Sequence, residues 1–227
     1  MDKSPPKQLL ESIYEQLLPS LQIESVNPLN PVKVSYLPQP WQLLGAGNYA
    51  AVVYHPDYSD LVLKIYAPGR PGYEEEVEVY RRLGSHPAFS ECVYAKDNFL
   101  VLKRLYGTTL YDCMHLGLHI PKQVIQDITE ALDYAKSRGL YPHDVHGRNV
   151  MMLEGRGLVV DISDFLHQEG CSKWNDLKRA YYWIYLPIFS PFRMRLSYST
   201  LDMIRKCYRL VNSFKKACSR IILRLAR

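Results

Sequence analysis

One lysine of the sequence, Lys64, stands inside the apolar run LVLKIY at positions 61–66. Such a run is typical of a buried strand. An ammonium group that leaves water loses several kcal/mol of solvation unless it is paired with anions. The position of Lys64 therefore predicts a functional lysine that has anionic partners.

A glycine-containing segment, LGAGNYAAV at positions 44–52, precedes this lysine. Glycine has no side chain, so the backbone N–H groups around Gly45 and Gly47 can approach phosphate oxygens closely. A tight turn between two strands is the alternative interpretation of Gly-x-Gly. The segment alone is a weak indication of phosphate binding, and later segments must decide.

Two later segments place carboxylates next to apolar runs. In YPHDVHGRNVMM, positions 141–152, Asp144 is followed five residues later by Asn149 and then by an apolar run. In GRGLVVDISDF, positions 155–165, Asp161 directly ends an apolar run and Asp164 follows it. Two satisfied loop histidines beside a surface aspartate are the alternative interpretation of the first of these segments.

The four segments occur in an order that resembles the protein-kinase superfamily, over about residues 40–185. The resemblance implies that Asp144 orients the attacking hydroxyl and accepts its proton, and that Asn149 binds Mg²⁺. It also implies a Mg²⁺ ligand at the end of the later strand. Asp161 is favoured there, in a sequence similar to the Asp-x-Ser of RIO-type kinases. Asp164 is the alternative ligand, because it is followed by a phenylalanine as in the usual Asp-Phe-Gly. Its choice would require a longer strand before the aspartate.

The same resemblance implies an ATP site around the lysine. Lys64 would bind the α- and β-phosphates and pair with a glutamate of the next helix. Glu76 is favoured for this pair because it lies seven residues before Leu83, and Glu75 stays open. The residues implied to bind the nucleotide are Gly45, Ala46, Gly47, Val52, Lys64, Lys103 and Leu105. The implied catalytic residues are Asp144, Lys64 and Glu76, with ATP and Mg²⁺ as cofactors.

His146 stands two residues after Asp144, where eukaryotic-type protein kinases usually carry a lysine. Histidine at that position is similar to aminoglycoside and choline phosphotransferases and to several atypical microbial kinases. The resemblance implies an ATP-dependent phosphotransferase. A serine/threonine protein acceptor is favoured, because the chain is compact like RIO-type and other minimal protein kinases. A small-molecule kinase and a non-catalytic pseudokinase that binds a partner are the alternatives.

The stretch that follows these segments is short. Residues 167–172 alone precede a predicted helix that begins at Lys173, without an Ala-Pro-Glu sequence or a phosphorylatable activation loop. We therefore expect an enzyme that is constitutively assembled and lacks the platform on which kinases hold extended peptides. Asp176 resembles the buried aspartate that braces the catalytic loop in the superfamily.

Periodic patterns assign these residues to helices and strands. Apolar positions at helical spacing predict helices at 7–18, ended by Pro19, at 73–83 and at 122–138. Short β-rich runs predict an antiparallel meander over 32–66, followed by a further apolar hairpin after the second helix.

The expected fold class is α+β, a two-lobed protein-kinase-like fold. It has a small antiparallel-sheet N-lobe with one helix and a mainly helical C-lobe. The expected units are an N-terminal helical extension at 1–31, an N-lobe at 32–106, a reduced C-lobe at 107–192 and basic C-terminal helices at 193–227.

Composition indicates the size of the core, the state of the cysteines and the cellular location of the protein. The 227 residues are 47% hydrophobic, which suffices for a sizeable core. The five cysteines are scattered without a metal-site spacing, which predicts reduced, mostly buried thiols. The sequence shows neither a signal peptide nor an apolar segment that could span a membrane, so the expected location is cytoplasmic.

The segment 193–227 is strongly basic, with ten Lys or Arg and a single acid, Asp202. An apolar stripe at helical spacing runs along it, consisting of Ile204, Tyr208, Val211, Cys218, Ile221, Ile222 and Leu225. This pattern is typical of helices that bind an acidic partner or an anionic membrane surface. Helices packed on the C-lobe with a solvated basic face are the alternative. The segment has no motif specific for nucleic acid.

Overall fold

The structure is a computed structural model that describes residues 4–27 and 30–225, with side chains described as far as residue 211. It is an α+β arrangement of antiparallel sheets and helices, which confirms the expected class. The strands are β1 (Gln22–Glu24), β2 (Lys33–Tyr36), β3 (Gln42–Ala46), β4 (Ala50–Tyr54), β5 (Leu61–Tyr66), β6 (Cys92–Lys96), β7 (Phe99–Lys103), β8 (Thr108–Thr109), β9 (Val150–Leu153) and β10 (Arg156–Val159). The helices are α1 (Lys7–Ser12), α2 (Leu18–Ser20), α3 (Tyr73–Leu83), α4 (Leu110–Leu116), α5 (Lys122–Ser137), α6 (Lys173–Ala180) and α7 (Tyr198–Leu225). The π-helical stretches Ile13–Leu17 and Tyr181–Phe189 follow α1 and α6.

Five antiparallel strands form a sheet in the order β3-β4-β5-β7-β6. Side chains alternate along each strand, so each strand contributes to both faces of the sheet. Leu63 and Ile65 of β5 pack against the first helix on one face. Val62 and Tyr66 belong to the core on the other face, which includes residues of α3. Lys64 lies between these two residues and therefore shares the α3 face.

The first helix extends further than the sequence pattern predicts. Helical turns continue from α1 through Ile13–Leu17 into α2 and end at Ser20, so the expected end at Pro19 is wrong. Pro19 is the second residue of α2 and lies in the last turn of this continuous helical run. The helices expected at 73–83 and 122–138 are confirmed as α3 and α5.

Helix α5 packs directly on β10, within a small sheet ordered β10-β9-β8. A Cβ atom at Gly157 would lie 2.4 Å from the carbonyl oxygen of Val124, so only glycine permits this approach. Val124 and Ile128 of α5 belong to the same core cluster as Val62 and Leu100 of the larger sheet. One apolar core therefore joins the strand-rich and helical parts of the chain.

The C-terminal helix α7 docks through its first turn. Leu201 is buried, and Asp202 accepts a hydrogen bond from Tyr111 at 2.9 Å and pairs with Arg148 at 3.0 Å. Further along the expected apolar stripe, Ile204 is already exposed. The stripe side chains of Cys218, Ile221, Ile222 and Leu225 lie outside the described residues.

No helix in the described ranges combines the length and the apolar character needed to span a membrane.

The cysteines differ in part from their expected burial. Cys92, Cys113, Cys171 and Cys207 are free thiols, as expected, but Cys113 alone among these four is buried and Cys207 is exposed. The expectation of mostly buried thiols is therefore wrong for the part of the chain in which they are described. Cys207 lies on α7.

Candidate active site

Lys64 meets two carboxylates in the structure. Its Nζ donates to Oε1 of Glu76 at 2.9 Å and to Oδ1 of Asp161 at 3.4 Å. Glu76 lies in the first turn of α3 and is 1% exposed, whereas Glu75 is exposed. Tyr66 donates a further hydrogen bond to Glu76. Of the two glutamates that the sequence left open, Glu76 is the one that pairs with Lys64.

The carboxylates keep this lysine charged. Burial on its own lowers the pKa of the Lys64 ammonium, but Asp161 and Glu76 outweigh burial and raise that pKa above its usual range. Burial also favours a higher pKa for Asp161, yet Lys64 and the hydrogen bonds from Ser163 hold it below its ordinary value. At neutral pH the centre therefore holds an ammonium ion beside the ionised carboxylate of Asp161.

The loop around Asp144 is held in an uncommon backbone conformation. Asp144 has a φ of 53°, in the left-handed region that residues other than glycine seldom adopt. Nδ2 of Asn149 donates to the carbonyl oxygen of Asp144 at 3.1 Å, and the buried Val145 anchors the loop in the core. Because Nδ2 of Asn149 is used in this way, Oδ1 is its atom suited to a hard cation.

The hairpin of β9 and β10 brings Asn149 next to Asp161. Val150 pairs with Val159 in the antiparallel register, so the residues just before β9 and just after β10 lie at one edge. The N–H of Val160 donates to the carbonyl of Asn149 at 2.9 Å. An amide oxygen and a carboxylate, both ligands that Mg²⁺ accepts, are thereby placed on neighbouring backbone segments.

Asp161 and Asp164 have different surroundings. Oδ1 of Asp161 accepts hydrogen bonds from the N–H and the hydroxyl of Ser163, at 3.2 and 2.9 Å, and faces Lys64. Asp164 lies in a separate cluster with two histidines. The placement favours Asp161 as the residue that belongs to the Lys64 centre.

A second lysine reaches Asp144, and the sequence patterns did not identify it. Lys173, the first residue of α6, forms an ion pair with the carboxylate of Asp144. Nε2 of His146 lies 3.8 Å from the other carboxylate oxygen, and burial lowers the pKa of this histidine. The sequence identified Lys173 only as the first residue of a predicted helix. That position does not indicate which side chains Lys173 contacts.

The glycine-containing segment forms the hairpin between β3 and β4. Gly45 and Ala46 end β3 and Gly47 begins the turn, and all three are exposed. A Cβ atom added at Gly45 would meet nothing within 4 Å, so internal packing does not require glycine there. Val52 lies opposite Lys64 in the β4–β5 register. The open backbone of this hairpin thus lies one strand away from the lysine.

Two curated relatives are similar to the chain, although no family model matches it. YrzF of Bacillus subtilis (strain 168), named provisionally as a serine/threonine-protein kinase, is 31% identical over 147 residues, 64% of this chain and 63% of YrzF. CBL-interacting serine/threonine-protein kinase 16 of Arabidopsis thaliana is 27% identical over 142 residues, 55% of this chain and 30% of that protein. Both relatives are named as kinases, which supports the resemblance of the chain to the protein-kinase-like superfamily.

The chain spans less than two thirds of the length of these kinase relatives. Among solved structures, a point mutant of the PknI kinase domain of Mycobacterium tuberculosis is 26% identical and has a TM-score of 0.42. That match covers 54% of this chain and 57% of the other.

Two residues that the kinase-like pattern assigns to the nucleotide are Lys103, which ends β7, and Leu105, which lies two residues after it. The ammonium of Lys103 pairs with Glu91 at 3.0 Å, and its backbone N–H and C=O bond to Glu91 and Ser90. The backbone N–H and C=O of Leu105 have no hydrogen-bond partner in the part of the chain that the structure describes. Of the two residues, Leu105 is therefore the one whose backbone groups are not already used within the described part of the chain.

Asp176 differs from the aspartate expected of a kinase-like fold. Its carboxylate accepts hydrogen bonds from Ser172 at 2.7 Å and from Tyr208 at 2.8 Å, and its side chain is 30% exposed. The expectation of a buried aspartate is wrong, because α6 and α7 hold this side chain close to the surface.

Proposed function

We propose that the chain is an ATP-dependent phosphotransferase that transfers the γ-phosphoryl group to a serine or threonine hydroxyl of a protein. The contact of Lys64 with both Glu76 and Asp161 carries the proposal, because it joins β5, α3 and the loop after β10 in one charged centre. The kinase names of both curated relatives support it. Phosphoryl transfer depends mainly on positioning and charge neutralisation, which such a centre provides.

The side chains of the centre fit Mg-ATP as cofactor. Asn149 and Asp161 offer an amide oxygen and a carboxylate, the ligand types that Mg²⁺ prefers. Lys64 offers a charged ammonium, and the exposed hairpin around Gly45 has a backbone that phosphates can approach closely. When bound, Mg-ATP would supply the phosphoryl group and neutralise charge during its transfer.

The remaining groups of the centre position the acceptor. Asp144 would orient the incoming hydroxyl and take its proton, because its carboxylate projects from a loop fixed by Asn149 and Val145. Lys173 would keep that carboxylate in place and supply positive charge beside it. The Lys64–Glu76 pair is formed in the structure, which supports an enzyme that is constitutively assembled.

The first test is the transfer of labelled phosphate from ATP to generic acceptor proteins, with the purified chain and its Asp144→Asn variant. We expect the variant to lose at least about 100-fold in turnover, the scale of general-base catalysis. Its ATP affinity should stay nearly unchanged, because Lys64, Asn149 and Asp161 are intact.

Equal turnover of the two proteins would contradict the role given to Asp144. ATP binding without labelled protein would favour a small-molecule acceptor or a pseudokinase. The short stretch 167–172 before α6 is the observation that keeps the small-molecule acceptor as second candidate, since it leaves little chain for a peptide platform.

We also propose that the protein is cytoplasmic and that its C-terminal part lies against an anionic membrane surface. Trp183 is 80% exposed and lies in the π-helical stretch that follows α6. Phe192 is 77% exposed and lies between that stretch and α7. Exposed basic residues accompany them: Arg193, Arg195, Arg205, Lys206 and Arg209. Aromatic side chains beside basic ones are typical of segments that bind at a membrane surface.

A further inference from the structure

Three side chains with metal-binding atoms lie together beside the proposed catalytic centre. One ligand atom from each of His143, Asp164 and His167 lies within 4.8 Å of the others. His143 directly precedes Asp144 in the catalytic loop, and the other two residues follow Asp161. The cluster therefore connects the catalytic loop with the short stretch that leads to α6.

Side-chain hydrogen bonds do not account for this cluster. Nδ1 of His167 is 3.7 Å from Oδ1 of Asp164, which is beyond hydrogen-bond length. Nδ1 of His143 is buried and has no hydrogen-bond partner among the residues that the structure describes. A buried polar atom without a partner is costly, and each such atom in a native structure calls for an explanation.

The geometry of the two rings suits a shared cation. The centroids of His143 and His167 are 5.5 Å apart and their planes meet at 83°, so the rings do not stack. In a tetrahedral zinc site with bonds of about 2.1 Å, ligand atoms lie about 3.4 Å from one another. The side chain of His167 is exposed, so it has room to move towards the other two ligand atoms.

The donor set points to the kind of ion. Two imidazoles and one carboxylate bind Zn²⁺ and other divalent transition metals, with a fourth position left for water. Mg²⁺ prefers oxygen ligands alone, which Asn149 and Asp161 supply. The two sets of ligands therefore differ in chemistry although they lie on the same two loops.

We propose that His143, Asp164 and His167 bind one Zn²⁺ ion that ties the catalytic loop to the stretch following Asp161. A backbone hydrogen bond from Tyr141 to Phe165, 2.7 Å long, already joins the same two segments. The metal adds a side-chain link next to Asp144. The stretch before α6 is then ordered by metal binding rather than by phosphorylation.

Isothermal titration of the full, tag-free chain with zinc chloride tests this site without ATP, so its outcome is independent of the proposed phosphoryl transfer. His167→Ala and Asp164→Asn remove one ligand each, and His119→Ala is the matched control because His119 is exposed and lies outside the cluster. We expect one equivalent of Zn²⁺ to bind to the wild type and to the control. The ligand variants should bind at least about 10-fold more weakly, since even outer-shell changes at metal sites have effects of this size.

Two further readouts separate this site from a chance association with histidines. Excess Mg²⁺ should not displace the zinc, and Zn²⁺ should raise the Tm of the wild type but not that of His167→Ala. Far-UV circular dichroism establishes that each variant is folded, and either ligand variant alone suffices for the comparison. Absence of binding to the wild type, unchanged affinity in a folded ligand variant, or equal loss in His119→Ala would overturn the proposal.

Discussion

At the scale of single residues, two basic side chains flank the carboxylate of Asp144. His146 is two residues away along the chain, and it is uncharged at neutral pH because burial lowers its pKa. Lys173 comes from the start of α6 and forms an ion pair with Asp144. The position where many kinases carry a lysine is thus taken by a neutral ring, and another element supplies the positive charge.

Replacing Lys173 by methionine should therefore lower turnover. The change removes the positive charge beside the proposed base and the transferred phosphoryl group, and we expect kcat to fall by about 100-fold, the scale of one preorganised electrostatic contact. The KM for ATP should change little, because Lys64 is untouched. Lys173→Arg keeps the charge and should recover part of the rate. Steady-state kinetics of the three proteins measure this, and a methionine variant with wild-type kcat would refute the assignment.

The contrast between the two lysines shows which contacts a sequence pattern can predict. Glu76 is 12 residues from Lys64, and a single strand followed by a single helix leaves few candidates for the pair. Lys173 is 29 residues from Asp144, and its contact depends on the path of the irregular residues 160–172 that follow β10. No local period describes such a path, so this contact could not be predicted.

At the scale of elements, a buried carboxylate fastens α5 to β10. Asp127 accepts hydrogen bonds from Arg156 at 2.7 and 3.0 Å and from the N–H of Gly157 at 2.9 Å. Burial alone would raise the pKa of Asp127, but these bonds and one from Gln123 lower it to about 2. Since β10 leads into Asp161, the contact also positions a proposed Mg²⁺ ligand.

The lowered pKa of Asp127 predicts a stability contribution that depends on pH. A carboxyl whose pKa is lower in the folded state stabilises the fold fully above its unfolded value, near 3.8, and loses this effect as the pH falls towards 2. At pH 7, Asp127→Asn should lower the free energy of unfolding by about 1–3 kcal/mol, because hydrogen bonds to a buried charge are lost. The difference from wild type should shrink in acid below the unfolded pKa.

Urea unfolding at neutral pH and at successively lower pH values measures this difference. Asp133→Asn is the matched control, because Asp133 lies on the same helix but its carboxylate is exposed. The control should have a small effect at every pH. A deficit of Asp127→Asn that stays constant down to the lowest pH would contradict the linkage.

The sequence predicted elements best where a periodic face meets a continuous core. Helices α3 and α5 have clear apolar stripes and end at glycines with positive φ, Gly84 and Gly139, so their bounds were predictable. The predicted end of the first helix was wrong, because Pro19 lies inside the continuous helical run, which ends at Ser20. Strand β1 has three residues and pairs with β2 alone in its sheet, which is too short for a period to show.

At the scale of the whole molecule, the π-helical stretch Tyr181–Phe189 contributes some side chains to the apolar core and exposes others. Tyr181 and Tyr185 of the π-helical stretch belong to the main core, whereas Trp183 and Ile188 of the same stretch are exposed. On α7, Leu210 is exposed as well. Periodicity identified the amphipathic character of the tail, but it could not say how much of the tail the core would cover.

Vesicle binding tests the proposed membrane surface. We expect the chain to sediment with vesicles that contain phosphatidylserine and not with neutral phosphatidylcholine vesicles, because each basic side chain near an anionic surface contributes about 1 kcal/mol. High salt should release it, since screening shortens the reach of these charges. Trp183→Ser should weaken binding because it removes an apolar anchor, while Tyr36→Ser, an exposed aromatic on β2, is the control. Equal sedimentation with both kinds of vesicle, or equal effects of the two serine variants, would show that this surface does not recognise an anionic membrane.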